Sequence, residues 1–282
     1  MLMRFALTTI FFAALGGLLL AADQPSTNQT SAQKAWEILD AGVREKSFLK
    51  RHDAVHALGL LEGDSRAVDF AEKALSDHTP EVREAAATTL GNMHSHASIP
   101  KLKQALKDKD VTVVLAAAHS LWGLGDIDGY EVYYEILVGE RKAGQGVIAG
   151  QEAMLRDRKK LAEFGFEQGI EFNPFAGIGW GIIKTLHKDD VSPVRAQAAA
   201  ALMNDSDPRS GQALAKSCTD KSWIVRVAAL EALARRGDPA FVKVVEPHTT
   251  DEKDMVRYTA AAALIRLSRA TPRTSALTPT AP

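Results

Sequence analysis

From Asp220 to Gly237 the chain reads DKSWIVRVAALEALARRG, with Val225, Ala228, Ala229, Ala232 and Leu233 at i, i+3, i+4, i+7 and i+8. Those offsets make the core-facing stripe of an amphipathic helix. The stripe returns downstream as Val256, Thr259, Ala260, Ala263 and Leu264, and lies upstream, at the same step, as Val194, Gln197, Ala198, Ala201 and Leu202. Farther upstream come Val113, Ala116, Ala117, Ser120 and Leu121 and, one identical step before them, Val82, Ala85, Ala86, Thr89 and Leu90. A helical unit copied at a fixed period buries its face only against its neighbours, so the chain is restricted to a stacked array.

Each stripe is preceded by a second helical segment and a turn. The pattern predicts helices over Asp64–Leu75 and Glu81–Met93, and again over Ile99–Leu106 and Val111–Leu124. Asp77, Asp108, Asp189, Asp220 and Asp251 all stand five residues before the first Val of a stripe. Directly after that Val come Arg83, Arg195, Arg226 and Arg257, a series that Val114 breaks. The spacing puts a carboxylate in the turn, where it accepts backbone N–H groups. The Arg one turn inside the helix is within reach of the Asp of its own or a neighbouring unit. These residues are read as a structural ladder. Ala57-Leu58-Gly59 matches Thr89-Leu90-Gly91 at nearly the same step, which marks Ala35–Leu61 as a divergent first copy of the kind expected to cap a stack.

The segments DHTPEVREAAATTLG, DDVSPVRAQAAAALM, DKSWIVRVAALEALA and DEKDMVRYTAAAALI resemble the HEAT-repeat superfamily, and their short period is similar to the HEAT-like class named after phycobilisome lyases. The resemblance covers about residues 34–125 and 176–270. It implies an all-α fold, a right-handed α-solenoid of about six antiparallel helix pairs over 34–270, with the second helices on the concave side. The small side chains of the stripe agree with close approach of neighbouring helices.

The rhythm breaks once. Val113 to Val194 exceeds one period by about 50 residues, so an insertion follows the third unit, with 139–175 at its heart. Its centre, QEAMLRDRKKLAE, has helix-forming composition, and FGFEQGIEFNPFAGIGWG then crowds in Phe164, Phe166, Phe172, Phe175 and Trp180, in a chain only 6% aromatic. Insertions in repeat arrays emerge as loops on one face, often the binding face. Two readings stand side by side: a docking arm or lid over the groove, and an elaborated repeat packed back onto the stack.

The first 22 residues carry one charge, Arg4, followed by an apolar run of about 18 residues, the layout of a secretory signal. Export to the periplasm or medium is expected, with an uncleaved inner-membrane anchor as the alternative. Residues 23–33 are polar and read as a linker, and 271–282, rich in Thr and Pro, as a disordered tail. Cys218 is the only cysteine, so no intrachain disulfide forms, and its neighbours mark it as a small core residue.

A net charge of −1 offers no basic face for nucleic acid. The chain holds no His-Glu dipeptide, which argues against the paired His-Glu iron site of the deoxyhypusine hydroxylases that share the resemblance, and a secretory signal argues against an intracellular bilin lyase. It also lacks G-x-S-x-G, a P-loop and a dinucleotide fingerprint. The expectation is a non-enzyme without cofactor or metal, a monomer that binds a protein partner through its concave face. Phe166, Phe172, Phe175 and Trp180 of the insertion, with His119 and Glu231 at one groove-facing repeat position shared with His56, are the candidate contacts. The competing reading is a ligand site or enzyme between insertion and groove, using His119, Glu231 and Trp122. His52 and His56, at i and i+4, have a spacing that clamps a metal but lack further ligands.

Overall fold

A computed structural model describes residues 27–138, 192–205 and 207–270. All regular structure among them is helical. The N-terminal part contains α1 (Thr27–Gly42), α2 (Phe48–Ala57), α3 (Ser65–Ala74), α4 (Pro80–Asn92), α5 (Ile99–Ala105), α6 (Val111–Gly123) and α7 (Ile127–Val138). The C-terminal part contains α8 (Ser192–Ala201), α9 (Pro208–Ser217), α10 (Trp223–Arg236), the short α11 (Val242–Val245) between two 3-10 turns, and α12 (Asp254–Arg269). No helix among the described residues is long and apolar enough to cross a membrane.

The local signals act where the sequence puts them. Asp64 caps α3 by accepting from the Ala67 N–H, and α4 opens with Pro80 in its first turn, where a missing N–H costs nothing. α10 ends on Gly237, whose φ of 66° is the left-handed conformation that closes a helix cheaply only for glycine. α1 begins at Thr27, so residues 27–33, read above as linker, are helical. The signal segment, the insertion heart at 139–175 and the tail at 271–282 lie outside the described residues.

Pairing follows the repeat: α3 packs on α4, α5 on α6, and α9 on α10. The second helices also pack on one another, α2 with α4, α4 with α6, α8 with α10, and α10 with α12. They form the inner row, with the first helices as an outer layer. The stripe of each second helix faces the unit before it in sequence. Thr89 Oγ1 donates to the Val55 carbonyl at 3.1 Å and Ser120 Oγ to the Ala87 carbonyl at 2.9 Å, each from the eighth stripe position back to the preceding helix. The stripes of α4, α6, α10 and α12 are buried. In the stripe of α8, Val194, Gln197, Ala198 and Ala201 are exposed.

One expectation is overturned. The first unit does not cap an end of the stack. α12 packs against both α1 and α2, so the spatial order of second helices is α8, α10, α12, α2, α4, α6. The first and last units of the described residues meet in the middle of the row. At this joint Arg266 Nη1 donates to the Leu60 carbonyl at 2.7 Å, Arg269 pairs with Asp64, and Ser31 hydrogen-bonds Glu246. Residues of α1, α2, α10 and α12 share one buried apolar cluster. The reason is steric as well as hydrophobic. Tyr258 of α12, 4% exposed, lies against Gly42, where a Cβ would stand 2.5 Å from Tyr258 Cε1 and 2.7 Å from Ala54 Cβ.

This close approach gives a test. Gly42→Ala should cost about 1–3 kcal/mol in urea denaturation by overpacking the joint. Gly123→Ala, where a Cβ meets nothing within 4 Å, should be neutral or stabilising by up to about 1 kcal/mol. Equal effects at the two positions would contradict the joint.

Candidate functional site

Two features run along the row: an arginine–aspartate ladder at the turns and a polar line on the inner surface. In the ladder, Arg83 Nε and Nη2 donate to the two Asp108 oxygens at 2.7 and 2.8 Å, a bidentate pair. Arg83 Nη1 donates at 2.9 Å to the carbonyl of Asp77 in its own unit. Arg226 repeats the scheme with Asp251 (2.9 Å) and the Asp220 carbonyl (2.9 Å), and Arg195 pairs with Asp220. Arg83 and Arg226 therefore each tie their own turn to the turn of the following unit, and Arg195 reaches the following turn.

The carboxylates do local work too. Asp77, Asp108, Asp220 and Asp251 each accept the N–H two residues on, at 2.8–2.9 Å. Burial opposes ionisation of Asp77, Asp108 and Asp251. The arginine and backbone hydrogen bonds outweigh it and hold all three carboxyls below their ordinary range. Asp189 lies outside the described residues.

Arg51 belongs to the series and was missed by the stripe count. It donates from Nε and Nη2 to Asp77 at 2.8 and 2.9 Å and from Nη1 to the Glu45 carbonyl at 2.9 Å. The signal was available, because Arg51 precedes Arg83 by the same step that relates Leu58 to Leu90. Arg257 keeps its contact to the carbonyl of Asp251 (2.7 Å) but pairs with Asp254 of its own helix. At the joint, Lys50 lies 3.7 Å from Glu45 and 3.9 Å from Asp254.

On the inner surface, the repeat position following the buried middle of the stripe is held by Ala200, Glu231, Ala262, His56, Thr88 and His119 in spatial order. His119 is exposed; Ala200, Glu231, His56 and Thr88 are half-buried; Ala262 is fully buried. The line is interrupted at α12 by the buried Ala262, and the other side chains are those that a molecule in the groove would meet. Burial pushes the Glu231 carboxyl up to about 7, against the pull of Arg235 one turn on. Burial, with the nearby charges of His52 and Arg235, takes the His56 imidazole down to about 4, and its Nδ1 is enclosed without a hydrogen-bond partner.

A family of HEAT repeats matches residues 37–122 and 181–265. The chain belongs to the HEAT-repeat family. Among solved structures the array is similar to human deoxyhypusine hydroxylase bound to glycerol, at 19% identity, covering 86% of this chain and 99% of that one, with a TM-score of 0.34. It is also similar to the CpcE–CpcF complex of phycocyanin lyase from Nostoc, at 20% identity, covering 92% and 100%, with a TM-score of 0.34. A designed armadillo repeat protein matches at 15% identity over 82% and 98%, with a TM-score of 0.26. No curated protein matches the chain.

Of the six candidate contacts, His119 and Glu231 lie among the described residues and are not brought together. Phe166, Phe172, Phe175 and Trp180 lie outside the described residues. His119 on α6 and Glu231 on α10 are separated by α4, α2 and α12. Trp122, 56% exposed, packs on Tyr130 and Tyr133 at centroid distances of 6.3 and 5.6 Å, beside His119 and away from Glu231. The shared site of His119, Glu231 and Trp122 is thus replaced by two separate places on the groove wall. His52 Nδ1 faces Asp53 at 3.1 Å, and no group of three metal-ligating side chains occurs among the described residues. Cys218 is buried at the end of α9, and burial pushes its thiol up to about 12, out of the reactive range.

The ladder makes a prediction in acid. Asp77, Asp108 and Asp251 titrate lower in the folded than in the unfolded chain, so their contribution is full above about pH 4 and is lost as pH falls through their folded values. Arg83→Ala should cost about 2–3 kcal/mol at neutral pH, between the values for exposed and buried pairs. It should also flatten the fall of stability below pH 4, because Asp108 loses its partner. An unchanged acid limb would contradict the ladder's role.

Proposed function

We propose that this HEAT-repeat protein is an exported, non-enzymatic scaffold, a monomer that binds another protein along the inner row of second helices. The observation that carries the reading is the continuous row of packed second helices from α8 through α10, α12, α2 and α4 to α6. On it one repeat position presents Glu231, His56, Thr88 and His119 to the groove. Such a row offers many small, separately tunable contacts on a rigid support, which suits an extended polypeptide better than a compact substrate. Export rests on the apolar N-terminal run after Arg4.

Photo-crosslinking tests both parts of this reading. A photoreactive residue at position 88 or 119 should capture a discrete protein from the cell envelope, whereas one at Arg209, exposed on outer helix α9, should not. Capture of the same species from all three positions, or from none, would contradict binding through the groove. Recovery of the protein with the cytosol would contradict export.

A further inference from the structure

The joint of the first and last described units creates a cluster that no single repeat contains. α12 lies between α10 and α2, and the 3-10 turn Leu58–Leu60 that extends α2 also reaches α10. Helices packed at the centre of the inner row here carry four polar side chains, in which Arg235 of α10 acts electrostatically on Glu231 of the same helix, on Arg266 of α12 and on His56 of α2. Arg235 is exposed and makes no hydrogen bond or ion pair among the described residues, although Glu231 is one turn away on the same helix. Arg266 is anchored only through the Leu60 carbonyl. Every other described arginine pairs with a carboxylate or, as Arg236 does, donates to several backbone carbonyls.

Positive charges act on one another in the cluster, with the Glu62 carboxylate opposing them. Burial and Arg235 together lower the Arg266 guanidinium, with Glu62 opposing. His56 is held neutral by burial, His52 and Arg235, and Glu231 titrates near neutrality because of burial. The groups that face the cluster are His52 and His56 from α2, Glu62 from the turn after it, Glu231 and Arg235 from α10, and Arg266 from α12. Two guanidiniums repel one another here without a firmly ionised carboxylate between them.

We propose that this centre of the groove, where Arg235 and Arg266 stand beside His56 and Glu231, recognises the carboxylates of an acidic segment of the bound protein. Neighbouring helices lie about 8–10 Å apart, and carboxylates two residues apart on an extended peptide are separated by about 7 Å, so one strand of alternating acidic residues meets both arginines. Each guanidinium presents paired N–H donors that suit a carboxylate. A carboxylate placed there favours the protonated forms of Glu231 and His56. Binding takes up protons, and affinity rises as pH falls from 8 to 6.

The inference rests on the groove being the partner surface, and its test is independent of the partner's identity. Fluorescent octaglutamate is titrated into the full chain at about 0.15 M salt, with octaglutamine as the neutral control; at this ionic strength distant charges are screened. Saturable octaglutamate binding is expected, weakened at least tenfold by Arg235→Gln, partly restored by Arg235→Lys, and several-fold tighter at pH 6 than at pH 8. Glu231→Gln should remove most of that pH dependence. Arg235 is exposed, so its replacement leaves the fold intact, and urea denaturation checks this. No octaglutamate binding, binding unchanged by Arg235→Gln, or equal binding of octaglutamine overturns the proposal. Competition by succinate at equal carboxylate concentration also overturns it, by assigning the site to a small acid. Capture from positions 88 and 119 with no octaglutamate binding would refute this inference while sparing the scaffold reading. Octaglutamate binding without such capture would do the reverse.

Discussion

The second helices α4, α6, α10 and α12 bury their alanine-rich stripes against the unit before them, and α2 belongs to the first described unit. Everything distinctive in this protein depends on how the stripe of α2 is covered. A linear solenoid covers such a stripe with a polar cap. Here α12, the last described helix, occupies that place and covers Ala54, Ala57 and Leu58. The same contact covers the far face of α12, where Tyr258, Ala261, Ala262 and Ile265 are buried. Two terminal liabilities cancel in one interface.

The interface is not a copy of the others. Between consecutive units an arginine clamps the next aspartate, as Arg83 clamps Asp108. At the joint the corresponding acid is Glu45, and Arg257 turns to Asp254 instead. The ladder is replaced by side-chain to backbone contacts from Arg266 and by the Gly42–Tyr258 approach. Arg266 donates to the Leu60 carbonyl, Arg235 makes no ion pair among the described residues, and burial disfavours the charged forms of Glu231 and His56.

The repeat, the helix boundaries and the ladder were legible because they are written in one nearly constant period. The predicted helix Glu81–Met93 and the observed Pro80–Asn92 differ by one residue at each end. Arg51 was legible too, once the offset from Leu58 to Leu90 was carried back to the start of the helix. The joint was not. A period says which helices are alike and nothing about whether the first and last copies meet. Gly42 facing Tyr258 is a long-range steric fact that neither local stretch announces. For the same reason Glu231 could be recognised as groove-facing but not as the neighbour of Arg266 and His56. The start of α1 at Thr27 was hidden by polar composition, since Ser, Thr, Asn and Gln also make linkers.

The meeting of the first and last described helices is tested most directly by zero-length carbodiimide cross-linking of the protein in dilute solution, followed by peptide mass spectrometry. Lys50 has two acidic neighbours, Glu45 at 3.7 Å within its own unit and Asp254 at 3.9 Å on α12. The account predicts both amides, Lys50–Glu45 as the local control and Lys50–Asp254 as the link between the first and last units. Recovery of the local link alone, with no bond between α2 and α12, would contradict it.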